Sequence, residues 1–184
     1  MKYYIADIHF GHRNILKFEN RPFETTDEMD EEYIKRWNNK VLSNDIVYIL
    51  GDFSWHNSGR TVEILNELKG IKILVKGNHD RISQEVGKCY KEICDYKEVF
   101  VNDNHIVLSH YPIMFYKGQY RGWYHFYGHI HMTKDFELMK RFVQDTKNSG
   151  ITQRAYNVGA MVPYMNFTPR SFQEIIRNNN TLFR

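Results

Sequence analysis

Short polar motifs rich in Asp, His and Asn recur between residues 7 and 131, and each one follows a run of apolar residues. Carboxylate, imidazole and amide oxygen ligands together suit intermediate divalent ions such as Mn²⁺, Fe²⁺, Zn²⁺, Co²⁺ or Ni²⁺. These residue types therefore indicate a metal site. The motifs are Asp7-Ile8-His9, Gly51-Asp52, Gly77-Asn78-His79-Asp80, Ser109-His110 and Gly128-His129-Ile130-His131.

The spacing within two of these motifs suggests how the ligands are presented. Asp7 and His9 are two residues apart, as are His129 and His131. Side chains at this spacing lie on one face of a regular strand. We therefore expect each pair to offer two ligands to one metal ion or to two adjacent ions.

The position of the motifs predicts that they meet. Rigid scaffolds place functional groups on loops at strand ends, and the carboxyl ends of strands form the ligand crevice in open α/β sheets. A single Asp-x-His or Gly-Asp is more often an ordinary turn, whereas Gly77-Asn78-His79-Asp80 is more specific because an exposed polar cluster adds little packing energy. Five motifs, each behind a predicted strand, argue against a chance arrangement.

The hydrophobic pattern predicts the elements that carry the motifs. Apolar runs predict strands over residues 2–6, 46–50, 71–76, 98–101, 105–109 and 123–127. Helical spacing predicts helices over residues 26–41, 62–68, 135–147 and 172–176, with capping boxes at Thr25 with Glu28 and at Ser171 with Glu174. Strands alternate with helices first and dominate later, which predicts a layered α/β domain.

Length and composition restrict the classes of protein. The 184 residues predict one domain, residues 1–184. No apolar run reaches membrane-spanning length, and the start of the chain lacks the apolar core of a secretory signal, which together predict a cytoplasmic protein. Cys89 and Cys94 are expected to be reduced thiols rather than a functional pair. The net charge of +3 argues against a nucleic-acid polymer as partner, and homo-oligomer formation stays open.

The five motifs, in this order, resemble the signature of the calcineurin-like metallophosphoesterase superfamily. Three stretches are similar to a small bacterial and phage subgroup of it: Asp7-Ile8-His9-Phe10-Gly11-His12-Arg13-Asn14, Asn20-Arg21-Pro22-Phe23 and Ser109-His110-Tyr111-Pro112. The resemblance implies a four-layer α/β/β/α sandwich with two central mixed β-sheets. It also implies hydrolysis of a small phosphomonoester or phosphodiester by attack of a metal-bridged hydroxide.

The resemblance implies a role for each polar residue of the motifs. His79 would not bind metal but would stabilise or protonate the leaving oxygen, with Asp80 orienting it. Manganese is the favoured metal, with iron, zinc, nickel and cobalt as alternatives. The implied ligands are Asp7, His9 and His131 for a first ion, Asn78, His110 and His129 for a second, and Asp52 as the bridge between the two.

Two other functions compete with this interpretation. A non-catalytic metal-binding or protein-interaction module on the same fold would be expected to lose ligands or His79, and here all are present. A nuclease acting on polymers is disfavoured by the modest charge. The small phosphorylated substrate itself is not named by the sequence.

Several nearby residues have both a functional and a structural interpretation. His12, Arg13 and Asn14 are predicted to face the phosphate, with Asn14 as a helix cap and Arg13 as a solvated residue in the alternative. For Arg21 a structural salt bridge is favoured, and for His56 and His125 a packed or solvated role. The aromatic residues Trp55, Tyr111, Tyr116, Tyr120 and Trp123 are expected in the core or at the rim.

Two departures from the subgroup are visible. After Asn157-Val158-Gly159 the subgroup often has an acidic residue, whereas Ala160 and Met161 follow here. A helical segment over residues 135–147 follows the last motif. Cover for the sheet is its favoured role, with a lid or an oligomer contact as alternatives.

Overall fold

The computed structural model describes residues 1–179 as an α/β fold built on two sheets. The strands are β1 Lys2–Ile5, β2 Ile46–Ile49, β3 Ile71–Val75, β4 Glu92–Cys94, β5 Tyr96–Val101, β6 Asn104–Ser109, β7 Tyr124–Tyr127, β8 Ala155–Asn157 and β9 Arg170–Ser171. The helices are α1 Ile15–Phe18, α2 Thr26–Lys40, α3 Ser58–Glu67, α4 Gln84–Lys88, α5 Lys134–Asn148 and α6 Phe172–Asn179.

Both sheets are mixed, as predicted. The first has the order β4-β3-β2-β1-β9, in which only β9 is antiparallel to its neighbour. The second has the order β5-β6-β7-β8, in which β5 is antiparallel and the other pairs are parallel. The sheets face each other through side chains such as Tyr4 and Phe126, whose ring centres lie 4.9 Å apart. With helices on the outer faces, this confirms the predicted sandwich.

A short backbone link joins the two sheets just beyond β1 and β8. Ala6 donates its N–H to the carbonyl of Val158, and Ala160 donates to the carbonyl of Ala6, both at 2.8 Å. Ala6 and Gly159 thereby form an isolated parallel bridge. The loops that follow β1 and β8 therefore begin side by side.

Local chemistry explains where the long helix α2 begins. Thr25 Oγ1 accepts a hydrogen bond from Glu28 N, and the Glu28 carboxylate accepts from the backbone of Glu24. The predicted capping box is therefore present, with its return bond shifted by one residue. Helix α2 buries Met29, Tyr33 and Trp37 at helical spacing against the first sheet.

The helix α5 covers the outer face of the second sheet. Phe136 and Met139 are buried in a cluster with Val107, Tyr127 and Ala155. This confirms cover as the role of the segment 135–147. Residues 102 and 103 form the turn between β5 and β6. The short elements α4, β4, β8 and β9 were not predicted, because two to five residues carry too little periodic pattern.

Two further findings concern the helices and the cysteines. Among residues 1–179, no helix combines the length and apolarity needed to cross a membrane. Cys89 and Cys94 are free thiols, as expected.

Candidate metal centre

The predicted motifs converge where the two sheets meet. Asp7, His9 and His131 form one group whose ligand-capable atoms all lie within 4.8 Å of one another. Asp7, Asp52 and His110 form a second group by the same measure. The structure thus brings side chains from loops after four strands, two in each sheet, to one buried place.

Two further predicted ligands lie beside the second group. The side-chain oxygen of Asn78 is 2.9 Å from His110 Nε2. The His129 ring lies 5.0 Å from the His110 ring, centre to centre. Both residues therefore lie close enough to contribute a ligand to an ion held near His110.

The backbone at these ligands is unusual. Asp7, His9, Asp52, His129 and His131 all have positive φ angles, between 46° and 67°. This left-handed conformation is uncommon for residues other than glycine and clusters at functional sites. The sequence predicted that Asp7 and His9 share a strand face, but they do not, because β1 ends at Ile5. The two side chains reach one group through loop geometry instead.

Glycines leave room for the ligand side chains. A Cβ atom on Gly77 would lie 2.2 Å from Asp52 Oδ1, and one on Gly128 would lie 2.7 Å from Asp7 Oδ2. Any larger residue at either position would displace a carboxylate of the site. Glycine at both positions therefore lets the backbone approach the carboxylates closely.

The two carboxylates are buried and held by backbone groups. Asp7 and Asp52 are each 1% exposed. His129 N lies 3.0 Å from both oxygens of Asp7, and His79 N donates to Asp52 Oδ1 at 3.0 Å. Burial raises the pKa of Asp7 to about 6, although the nearby His131 and His110 oppose that rise. A bound cation would supply the positive charge that this pocket of carboxylates lacks.

The imidazoles suit a metal as well. Burial lowers the pKa of His9 and of His129, which keeps both rings in the neutral form that binds a metal. Within residues 1–179, His9 Nε2 is buried and has no hydrogen-bond partner. It lies 3.8 Å from Asp52 Oδ2. A buried nitrogen that has no partner and faces a carboxylate is suited to bind a cation, so the residues fit a divalent metal.

The other nitrogen of His9 carries a constraint. Trp55 donates its indole N–H to His9 Nδ1 at 3.0 Å. A neutral ring that gives Nε2 to a cation keeps its proton on Nδ1. Metal binding at Nε2 would therefore exchange this hydrogen bond for a coordinate bond.

A buried ion pair supports His131 from behind. His131 Nδ1 lies 2.5 Å from Glu19 Oε1, and Glu19 pairs with Arg21, whose side chain is fully buried. Burial alone would lower the pKa of His131 and raise that of Glu19. The hydrogen bond between the two residues outweighs burial, so the pKa of His131 is raised, and together with Arg21 it lowers the pKa of Glu19. Arg21 also donates to the backbone carbonyls of Asp7 and Ile8. The structural role favoured for Arg21 is confirmed.

The backbone supports the other side of the site. His110 Nδ1 contacts the carbonyl oxygen of Leu50 at 2.8 Å. The Asp80 carboxylate accepts from the N–H groups of Asp52, Phe53 and Gly77. Asp80 therefore braces the loops that carry the ligands, and its expected role in orienting the His79 side chain stays a prediction.

His79 lies beside the ligand groups and belongs to neither. Its ring centre is 6.1 Å from that of His9 and 4.9 Å from that of Trp55. This position agrees with a residue that faces the substrate rather than an ion. Trp55, expected in the core or at the rim, is 44% exposed and lies at the rim of the site beside His79.

Only part of the segment after the first motif contacts the candidate site. His12 Nδ1 accepts a hydrogen bond from Ile15 N at 2.9 Å, and its ring lies 5.4 Å from that of His9. Asn14 occupies the N-cap position of α1 without a side-chain cap bond, so His12 caps in its place. Arg13 and Asn14 are exposed. Only His12 of the three contacts the candidate site.

The remaining histidines singled out have structural partners. His125 is fully buried, where its ring nitrogens contact Ile113 N and Val107 O. His56 Nε2 lies 2.7 Å from the Asp30 carboxylate. His125 is packed and the partly buried His56 is paired with a carboxylate, so both have structural partners in line with the packed or solvated role favoured for them.

Sequence comparison adds the family. The model of the calcineurin-like phosphoesterase family matches residues 3–157. That range contains all seven predicted ligands and His79.

Two relatives and one solved structure place the chain further. An uncharacterized protein of Methanocaldococcus jannaschii is 31% identical over 177 residues, 95% of this chain and 89% of that protein. The gene 66 protein of Mycobacterium phage L5 is 31% identical over 81 residues, 42% of this chain and 39% of that protein. A crystal structure of a protein of unknown function from Aquifex aeolicus superposes with a TM-score of 0.72 at 26% identity, over 96% of this chain and 98% of that one.

Proposed function

This chain belongs to the calcineurin-like phosphoesterase family, and on that premise we propose that it is a dinuclear metal-dependent hydrolase of small phosphomonoesters or phosphodiesters. One observation carries the proposal. Asp52 Oδ2 lies 3.8 Å from His9 Nε2 and 3.6 Å from His110 Nε2, between imidazoles of the two ligand groups. A carboxylate in that place can be shared by two ions.

The donor set divides into two sides around Asp52. The first ion would be held by Asp7, His9 and His131, and the second by Asn78, His110 and His129, with manganese favoured for both. Asp7 also belongs to the second geometric group. We assign it to the first ion, as the resemblance to the family implies.

Two bound divalent ions would neutralise charge on the phosphate and lower the pKa of water. The protein supplies the rest. The left-handed loops fix the ligands, and the Trp55 ring lies beside His79. His79 stands at the edge of the ligand groups, where it would donate a proton to the leaving oxygen.

The complete donor set favours an enzyme over a non-catalytic binding module. All seven proposed ligands are present, and the buried carboxylates Asp7 and Asp52 would be costly to retain without a cation. A protein-interaction module has no need for such a cluster.

Turnover of chromogenic aryl phosphates tests the proposal directly. We expect metal-free protein to hydrolyse neither p-nitrophenyl phosphate nor bis(p-nitrophenyl) phosphate, and added Mn²⁺ to start turnover of at least one. Bound Mn²⁺ without turnover of either ester would instead support the binding module. A screen of mononucleotides, cyclic nucleotides, sugar phosphates and phosphopeptides would then define the substrate.

Replacement of His79 tests its role separately. We expect His79→Ala to bind metal like the wild type and to lose about 10²–10⁴-fold in turnover of alkyl phosphates, which need general acid help. The loss on p-nitrophenyl phosphate should be much smaller, because that leaving group departs without a proton. Equal losses on both esters would remove His79 from proton transfer.

A further inference from the structure

Two cavities that share lining residues lie near His79, and neither is lined by a histidine ligand of the second sheet. The smaller, about 120 Å³, is lined by Asn78, His79 and Trp55 among others. The larger, about 250 Å³, is lined by Asp80, Val86 and Tyr90 among others. Both are lined by Ser54, His56 and Arg81, so these three residues border the larger cavity as well as the cavity that contains His79.

The three shared residues differ in their bonding. Ser54 Oγ contacts Thr61 Oγ1 and accepts a hydrogen bond from His56 N. The His56 ring is paired with Asp30. Arg81 is exposed, and its guanidinium has no hydrogen bond or ion pair with any other residue in the part of the chain that the structure describes.

The acidic residues near this cleft are already compensated. Asp80 lines the larger cavity, but its carboxylate accepts three backbone N–H groups. Asp30 is held by His56 and by Gly11 N. Arg81 is therefore a cation without a fixed counter-charge, one residue beyond Asp80 in the motif that also supplies Asn78 and His79.

We propose that Arg81 binds a second anionic group of the substrate, so that the enzyme prefers phosphate esters or anhydrides carrying another phosphate beside the scissile one. The planar guanidinium matches two phosphate oxygens at once. The proposal rests on the proposed function, because the scissile phosphate at the metal centre determines which neighbouring phosphate reaches Arg81.

The test compares two inhibitors of p-nitrophenyl phosphate turnover at constant free Mn²⁺. Inorganic phosphate fills only the metal centre, whereas inorganic pyrophosphate carries a second phosphate towards Arg81. We expect Arg81→Gln to raise the inhibition constant of pyrophosphate by about tenfold or more and to leave that of phosphate unchanged. The control Arg60→Gln removes the same charge from an arginine paired with Glu63 and should change neither constant.

Each outcome decides the proposal. If Arg81→Gln weakens both inhibitors equally, or neither, a second anion subsite at Arg81 is ruled out. Equilibrium dialysis of pyrophosphate and phosphate against the Mn²⁺-loaded protein measures the same ratio without turnover. The wild type could hydrolyse no ester and still bind pyrophosphate more tightly than phosphate. If Arg81→Gln removed that preference, the subsite would be supported and the proposed function would be overturned.

Discussion

The two sides of the candidate metal centre are supported in different ways. On the side of His131, the support is a buried pair of side chains, Glu19 and Arg21. On the side of His110, the support is the backbone carbonyl of Leu50. A hydrogen-bonded outer partner fixes the ring orientation and raises the basicity of a metal-binding histidine.

The difference shows where the site can be changed. A side-chain partner can be replaced without altering the path of the chain, whereas Leu50 directly follows β2, so that its carbonyl moves only with the sheet. Affinity for the ion near His131 should therefore be adjustable by substitution, and affinity for the ion near His110 should follow the stability of the fold.

The largest expected effect removes what both sides share. We expect Asp52→Asn to weaken binding of both ions by more than the roughly 10–100-fold typical of outer hydrogen-bond partners. The reason is that the substitution removes a buried charge lying within 4 Å of an imidazole on each side. Isothermal titration with Mn²⁺ measures both steps. Asp95→Asn, on an exposed aspartate, is the control, and loss of only one ion would rule out Asp52 as the bridge.

An intermediate effect separates the two sides. We expect Glu19→Gln to weaken one of the two Mn²⁺ ions by roughly 10–100-fold and to spare the other, because only His131 loses its charged partner. The stoichiometry and affinity of Mn²⁺ binding report this without any substrate. Glu32→Gln, which changes a surface carboxylate paired with Arg36, should alter neither ion. Equal weakening of both ions would contradict the contrast between the two sides.

The smallest expected effect concerns the fold on the His110 side. Burial lowers the pKa of His125 to about 4, below its ordinary value of 6.5. The unfolded chain therefore binds the proton first as the pH falls, so stability is lost from about pH 6.5 downwards. The loss between pH 7 and pH 5.5 should be about 1 kcal/mol from this residue.

Urea denaturation at both pH values measures that loss. The His125→Gln variant should be less stable at pH 7. Because its side chain cannot titrate, its free energy of unfolding should also depend less on pH, by the amount that His125 contributes. An unchanged pH dependence in the variant would mean that His125 is not the residue responsible.

The sequence predicted most of the fold because its pattern is strong locally. The runs that became β1, β2, β3, β6 and β7 are apolar and end in polar motifs, and the capping residues Thr25 and Ser171 are adjacent to what they cap. The predicted ligands Asp7, His9, Asp52, His110 and His131 meet as expected, and Asn78 and His129 lie beside them.

The parts that could not be predicted depend on distance along the chain or on loop geometry. Glu19 supports His131 from 112 residues away, and no local spacing reveals such a contact. The left-handed conformation of Asp7 and His9 leaves no pattern that separates it from an extended strand. Arg81 is one position past a recognisable motif, and only the cavities show what it faces.

The backbone link between Ala6 and Gly159 has a consequence for how the molecule opens. Because it joins the two sheets immediately next to Asp7, the sheets cannot separate without pulling the ligand loops apart. Amide hydrogens of β1 and β8 should therefore exchange with solvent deuterium in a single cooperative step. Added Mn²⁺ should slow that step in both sheets together, because a metal bound by the ligand loops would stabilise the closed arrangement of the two sheets.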